Sequence, residues 1–187
     1  MKKGLIALAV VLLLVFMVAG SLTGRYNGFV ASNAQIDGAW AQVEHVLQRR
    51  GDLIPNLVST VHGFAEQERE IIIEVANARS RLAGAASPGE AAAAYAGVTG
   101  ALGRLLAISE NYPQLRSNEN FIRLQDELAG SENRIAVERR RYNDAVRVFN
   151  TNVRQFPNNL MAGTFGFGSR EYFEADEAAQ EVPTVQF

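Results

Sequence analysis

Two histidines, His45 and His62, are the side chains best suited to hold a metal, with the carboxylates near them as co-ligands. A di-iron helical bundle needs Glu-x-x-His on each of two helices and a glutamate from each of the other two. The residue three before His45 is Gln42 and the one three before His62 is Ser59, so neither half-site can form. There is no His-Glu-x-x-His pair and no EF-hand loop. With no cysteine, thiolate sites, disulfides and a lipid-modified thiol are excluded too. Covalent and phosphate chemistry fare no better. The chain has no Gly-x-Ser-x-Gly elbow, P-loop or dinucleotide fingerprint. The run Gly163-Thr164-Phe165-Gly166-Phe167-Gly168 has no strand before it or helix after it, and reads as an aromatic-anchored loop rather than a phosphate cradle. What remains is polar residues at core-like helical spacing: Asn27, Asn33, Ser131, Asn143 and Asn150, with Glu132-Asn133 beside Ser131. Buried amides need partners, and such a layer can set helix register. A ligand-binding groove is the second reading. The expectation is a protein that is not an enzyme and holds no cofactor and no metal.

The elements that would position these residues are helices. Phe29, Ile36, Trp40, Val43 and Leu47 recur at three-and-four spacing. Gly51 is expected to end this first helix, with Arg49 and Arg50 in its last turn. Asp52 is expected to cap a second helix with Pro55 in its first turn. Its stripe is Leu57, Val61, Phe64, Ile71 or Ile72, Val75 and Leu82, and it fails at the turn Gly84 to Gly89. A third, alanine-rich helix runs from about Glu90 to Tyr112, with Tyr95, Val98, Leu102 and Leu105 as its row. A fourth, capped by Ser117 or Asn118, carries Phe121, Leu124, Leu128, Ile135, Tyr142, Val146, Phe149 and Val153, and is a rod of roughly 57 Å. No window alternates with period two. The reading is all-α: an up-down antiparallel four-helix bundle over residues 24–157 behind an N-terminal transmembrane helix. Residues 158–187 read as an extended, irregular C-terminal tail, with residues 176–182 outside any packing.

Residues 4–23 carry no charge and are apolar or small almost throughout. A helix of 17–19 such residues spans roughly 26–28 Å, close to the hydrocarbon thickness of a bilayer. An uncleaved single-pass anchor fits this length better than a cleaved secretory peptide, although Val18-Ala19-Gly20 offers small residues. Lys2 and Lys3 precede the span and only Arg25 follows closely. This places residues 1–3 in the cytoplasm and the helical domain outside, periplasmic or extracellular, on the cytoplasmic (inner) membrane. A net charge of −2 leaves no basic footprint for nucleic acid.

Three stretches along these helices carry a family likeness. They are Tyr26-Asn27 through Trp40 to Arg49-Arg50-Gly51-Asp52-Leu53-Ile54-Pro55-Asn56; then Asn118-Glu119-Asn120-Phe121 with Leu124-Gln125-Asp126-Glu127-Leu128; and last Ser131-Glu132-Asn133-Arg134-Ile135 with Arg141-Tyr142-Asn143. Together they resemble the LemA family of bacterial membrane-anchored helical proteins over nearly the whole chain. The resemblance implies a single-span envelope protein and no particular reaction.

The function expected is therefore a non-catalytic, membrane-anchored scaffold of the bacterial envelope acting as a homo-oligomer, with membrane lipids as partner of the N-terminal helix. The alternative is a monomeric adaptor offering a helical groove to an envelope protein or lipid. The partner-contact residues expected are Arg49, Arg50, Asp52 and Asn56. Phe165, Phe167, Tyr172 and Phe173 are the expected oligomer contacts, four rings in nine residues that a thin bundle would struggle to cover.

Overall fold

The computed structural model describes residues 2–65 and 67–174, and among these there is no strand. Six helices follow in order: α1 (Lys2–His62), α2 (Arg69–Ala83), α3 (Pro88–Ser109), α4 (Pro113–Arg116), α5 (Glu119–Arg154) and α6 (Asn158–Phe165). Residues 176–182, expected to lie outside any packing, fall outside the described part.

The first correction concerns Gly51. Helix α1 does not stop there; it runs on to His62 with Pro55 inside it, so Asp52 is a mid-helix residue and caps nothing. A proline at 55 has no N–H to give the carbonyl four residues back, which is that of Gly51. Arg79 of α2 replaces it, its Nε donating to the Gly51 carbonyl at 2.8 Å. The buried row Val43, Leu47, Ile54, Leu57, Val61 continues through the site, and burying it outweighs roughly 1 kcal/mol of glycine propensity. Arg79→Met should then lower stability by about 1–2 kcal/mol, and by much less in a Pro55→Ala background, where the backbone bond is restored. A double-mutant cycle in thermal unfolding measures this.

The second correction is a break within the expected second helix. After His62 the chain turns through Gly63 and Phe64, and α2 begins only at Arg69. Tyr112 holds the loop: its hydroxyl donates to Glu68 at 2.9 Å and accepts from Gln67 Nε2 at 2.8 Å. Helix α3 opens at Pro88, with Ser87 as N-cap accepting from the Glu90 N–H at 3.3 Å, and Glu90 Oε2 accepting from the Ala86 N–H at 2.8 Å. This is a near-capping-box signal. Helix α5 is capped by Asn118, whose Oδ1 accepts from the Phe121 N–H at 3.1 Å. The third correction is α6: the tail begins with two helical turns, ended by Gly166 at φ 76°, a left-handed conformation that favours glycine.

Contacts divide the chain into two units. One comprises Met1–Gly38 and Asp144–Arg170. Its buried residues include Phe29, Ile36, Val146, Phe149, Val153, Met161 and Ala162. The other comprises Ala39–Asn143 and Glu171–Phe187, with a core of Ile54, Leu57, Val61, Val75, Val98, Leu102, Leu105, Leu115, Phe121 and Leu124. By length and composition α1 and α3 could each cross a membrane. Among the described residues of its apolar stretch α1 buries none, whereas α3 places its apolar row in the second unit's core, which accounts for its composition.

Candidate functional site

Arg50 sits three residues after Leu47 and four before Ile54, so the helix turns it into the apolar row. It is 5% exposed. From α5, Glu132 pairs with it through Oε2 and accepts the Tyr95 hydroxyl proton on Oε1. The Arg50 guanidinium lies 5.5 Å from the Tyr95 ring centroid. Three helices thus share one polar knot, made of a cation, a carboxylate and a phenol. The Arg50 Nε is buried and finds no hydrogen-bond partner among the described residues. A cleft of about 290 Å³ opens beside the knot, lined by Tyr95, Thr99, Glu132, Arg139 and Phe173.

The remaining three expected contact residues face the other way. Arg49, Asp52 and Asn56 follow the three-and-four spacing of one helical face, and all are exposed. Arg50 therefore does not join them. A second cleft, about 510 Å³, adjoins Asp52 and is lined also by Trp40, Glu44, Leu47, Arg79 and Leu82. His45 and His62 are exposed, and among the described residues no three histidine or carboxylate side chains gather.

The tail aromatics divide as well. Phe173 is 1% exposed, with ring centroids 6.2 Å from Trp40 and 6.3 Å from Tyr95. Asn143 holds its backbone from both sides, Nδ2 donating to the Phe173 carbonyl at 3.2 Å and Oδ1 accepting from its N–H at 2.9 Å. In the other unit Asn150 holds Arg170 in the same way, at 2.8 and 2.7 Å. Phe167 lies over Phe29 at 5.2 Å, Phe165 meets Tyr26 edge-on at 5.1 Å, and Tyr172 is half-buried. Asn143 and Asn150 thus bind tail backbone, while Ser131 returns its hydroxyl to the Leu128 carbonyl at 2.7 Å. Trp40 is half-buried, not buried as its row implies, and its neighbour at 5.3 Å is Tyr142.

Burial, and then the hydrogen bond to Glu132, push the Tyr95 hydroxyl up to about 12. An unfolded tyrosine loses its proton near 10, so between roughly pH 10 and 12 the folded chain holds a proton the unfolded chain has released. Stability should fall across that window as pH rises, by up to about 2–3 kcal/mol; below it the contribution of the neutral Tyr95 hydroxyl is present in full and does not vary with pH. Unfolding midpoints of wild type and Tyr95→Phe should converge over the same window.

The fold and these sites define a helical protein with an N-terminal segment of membrane-spanning length, whose best-built polar feature is an ion-paired knot. Residues 39–187 match the model of the LemA family, and the chain belongs to that family. Magnetosome protein MamQ 2 of Paramagnetospirillum magneticum is 28% identical over 191 residues, covering 88% of this chain and 70% of that protein. Magnetosome protein MamQ of Magnetospirillum gryphiswaldense is 28% identical over 207 residues, covering 97% and 75%. Protein LemA of Metamycoplasma hominis is 23% identical over 158 residues, covering 82% and 71%.

Proposed function

We propose that this protein is a non-catalytic scaffold, anchored in the cytoplasmic membrane by residues 4–23 with its helical domain on the outer side, and that it acts by self-association. On this reading the long helices form an up-down four-helix bundle. In support, α1 and α5 run antiparallel within the second unit: Trp40 lies beside Tyr142 and Arg50 beside Glu132, ten residues along one helix and ten back along the other. The observation that carries self-association is the outward face of α3. Ala93, Ala96, Gly97, Gly100, Gly103 and Ala107 are all exposed there, and a Cβ added at Gly97, Gly100 or Gly103 would meet nothing within 4 Å. Small residues on an open helical face allow a second helix to approach closely, and confinement to a membrane raises its effective concentration. The name magnetosome protein carried by two relatives suits a part in a cellular structure better than a reaction.

The tail contributes less to assembly on this reading, because Phe173 and Phe167 already pack within their own chain, leaving Phe165 and Tyr172. The adaptor alternative draws on the exposed Arg49–Asp52–Asn56 face beside its cleft. Cross-linking separates the two. The chain lacks cysteine, so Gly97→Cys carries a unique thiol. In intact membranes a short bis-maleimide should join Gly97→Cys copies into dimers. A heteromeric band, or no cross-link, would remove α3-mediated self-association, and loss of a heteromeric band on Asn56→Ala would install the adaptor.

A further inference from the structure

The membrane-proximal end of the first unit carries apolar surface that its own core does not use. Phe156 is 80% exposed, Leu160 63% and Phe165 48%. Their level along α1 follows from contacts within that unit. Phe149 packs edge-on against Phe29 at 6.4 Å, and nine residues later Asn158 accepts from Arg25, so α5 descends as α1 rises. Arg154, the last residue of α5, lies five residues past Phe149, about 7.5 Å further down, which is the level of Gly24. Phe156 follows at the level where the apolar run of α1 ends. Helix α6 then stays there: its first residue, Asn158, meets Arg25 and its last, Phe165, meets Tyr26. Both ends of a helix about 12 Å long touch neighbouring residues of α1, so α6 lies across α1 rather than along it. Met161 and Ala162 are buried against the unit, and Leu160 is turned out.

We infer that α6 and the turn before it form an interfacial foot resting in the phospholipid headgroup layer around the anchor, with Phe156 and Leu160 inserted toward the acyl chains and Phe165 and Tyr26 at headgroup depth. This rests on reading residues 4–23 as a membrane span. A bilayer is the occupant for three reasons. The surface is continuous with the end of the apolar span, where a bilayer boundary must lie. The side chains suit that depth: Tyr26 has an apolar ring with a polar hydroxyl, and Phe and Leu are residues that interfacial helices turn toward the acyl chains. Charge agrees as well: from Gly4 to Ile36 and from Ala145 to Arg170 the sequence holds no carboxylate, while Arg25 and Arg154 are exposed beside the foot for lipid phosphates.

The full chain in phosphatidylcholine–phosphatidylglycerol vesicles tests this with single nitroxide labels on Leu14→Cys, Leu160→Cys and Ala86→Cys, the last in an exposed turn of the other unit. Collision with oxygen reports lipid, and collision with an aqueous nickel chelate reports water. The Leu160 label should show an oxygen-to-nickel ratio several-fold above that at Ala86 and below that at Leu14. A Leu160 ratio equal to that of Ala86 overturns the foot while leaving the anchor intact. Protection of Leu160 from both reagents means protein covers the face, and also overturns it. A nickel-accessible Leu14 removes the anchor and the foot together.

Discussion

Glu132→Ala should destabilise the folded protein by about 3–4 kcal/mol, read as a large fall in the thermal midpoint of helical circular dichroism in mild detergent. The reason is the company Glu132 keeps. It is the ion-pair partner of Arg50, whose side chain is almost wholly buried, and the acceptor for the Tyr95 hydroxyl. Removing one member of a buried pair leaves the other charge without compensation, and a strongly buried arginine cannot shed its proton to escape. The half-exposed Glu132 side chain lets some water reach the pair, which keeps the figure below the top of the usual range. Glu132→Gln should fall between, keeping one acceptor oxygen but no charge. Replacing all three members, Arg50→Met, Glu132→Leu and Tyr95→Phe, should recover most of the loss, because no desolvated charge or unpaired hydroxyl then remains. A loss under about 1 kcal/mol for Glu132→Ala would mean that the pair carries no net weight.

Phe173→Ala should cost about 3–4 kcal/mol, the value for emptying an aromatic site in a core. Phe173 is the point at which the tail enters the second unit, with Trp40 and Tyr95 around it and Asn143 holding its backbone. Trp40 is the chain's one tryptophan and takes part of its cover from this ring, so its fluorescence should shift to the red in the variant. Fast cleavage near residue 173 with unchanged helical content would show that the tail merely undocks. Unchanged fluorescence would contradict the packing described.

Much of the helical content was legible because it depends on local periodicity. The row Phe121, Leu124, Leu128, Ile135, Tyr142, Val146, Phe149 is buried as its spacing demands, and Asn118 caps it. The errors arose where a distant group decides a local outcome. Gly51 and Pro55 together read as a helix boundary, since nothing nearby reveals that Arg79, 28 residues on, will serve the carbonyl that proline leaves open. Asp52 lost its capping role with that boundary. The break after His62 had only Gly63 to announce it. Helix α6 has just eight residues, too few for a stripe to stand out. Within the candidate site, Arg50 was legible as a residue of interest but grouped with the wrong neighbours. Its three-and-four spacing to Leu47 and Ile54 already separated it from Arg49. Asn143 and Asn150 were recognised as polar residues at core-like positions, but their partners lie in the tail, where periodicity says nothing. Asn27 and Asn33, read the same way, fall outside the core, Asn27 exposed and Asn33 donating to Asp37 one turn on.

The asparagine clamp on Phe173 has an evolutionary corollary. A carboxamide reads only an N–H and a C=O, and every residue except proline offers both. Asn143 therefore recognises a place in the chain without recognising which side chain is there. The aromatic ring at 173 is selected by its pocket alone, and conservative drift among large apolar residues leaves the clamp untouched. Two changes cannot be absorbed in this way. Proline at 173 removes the donor, and aspartate at 143, whether by mutation or by slow deamidation, sets a carboxylate against the Phe173 carbonyl that the amide once served. The attachment of the tail is thus open to sequence change in the ligand and closed to a single-atom change in the receptor.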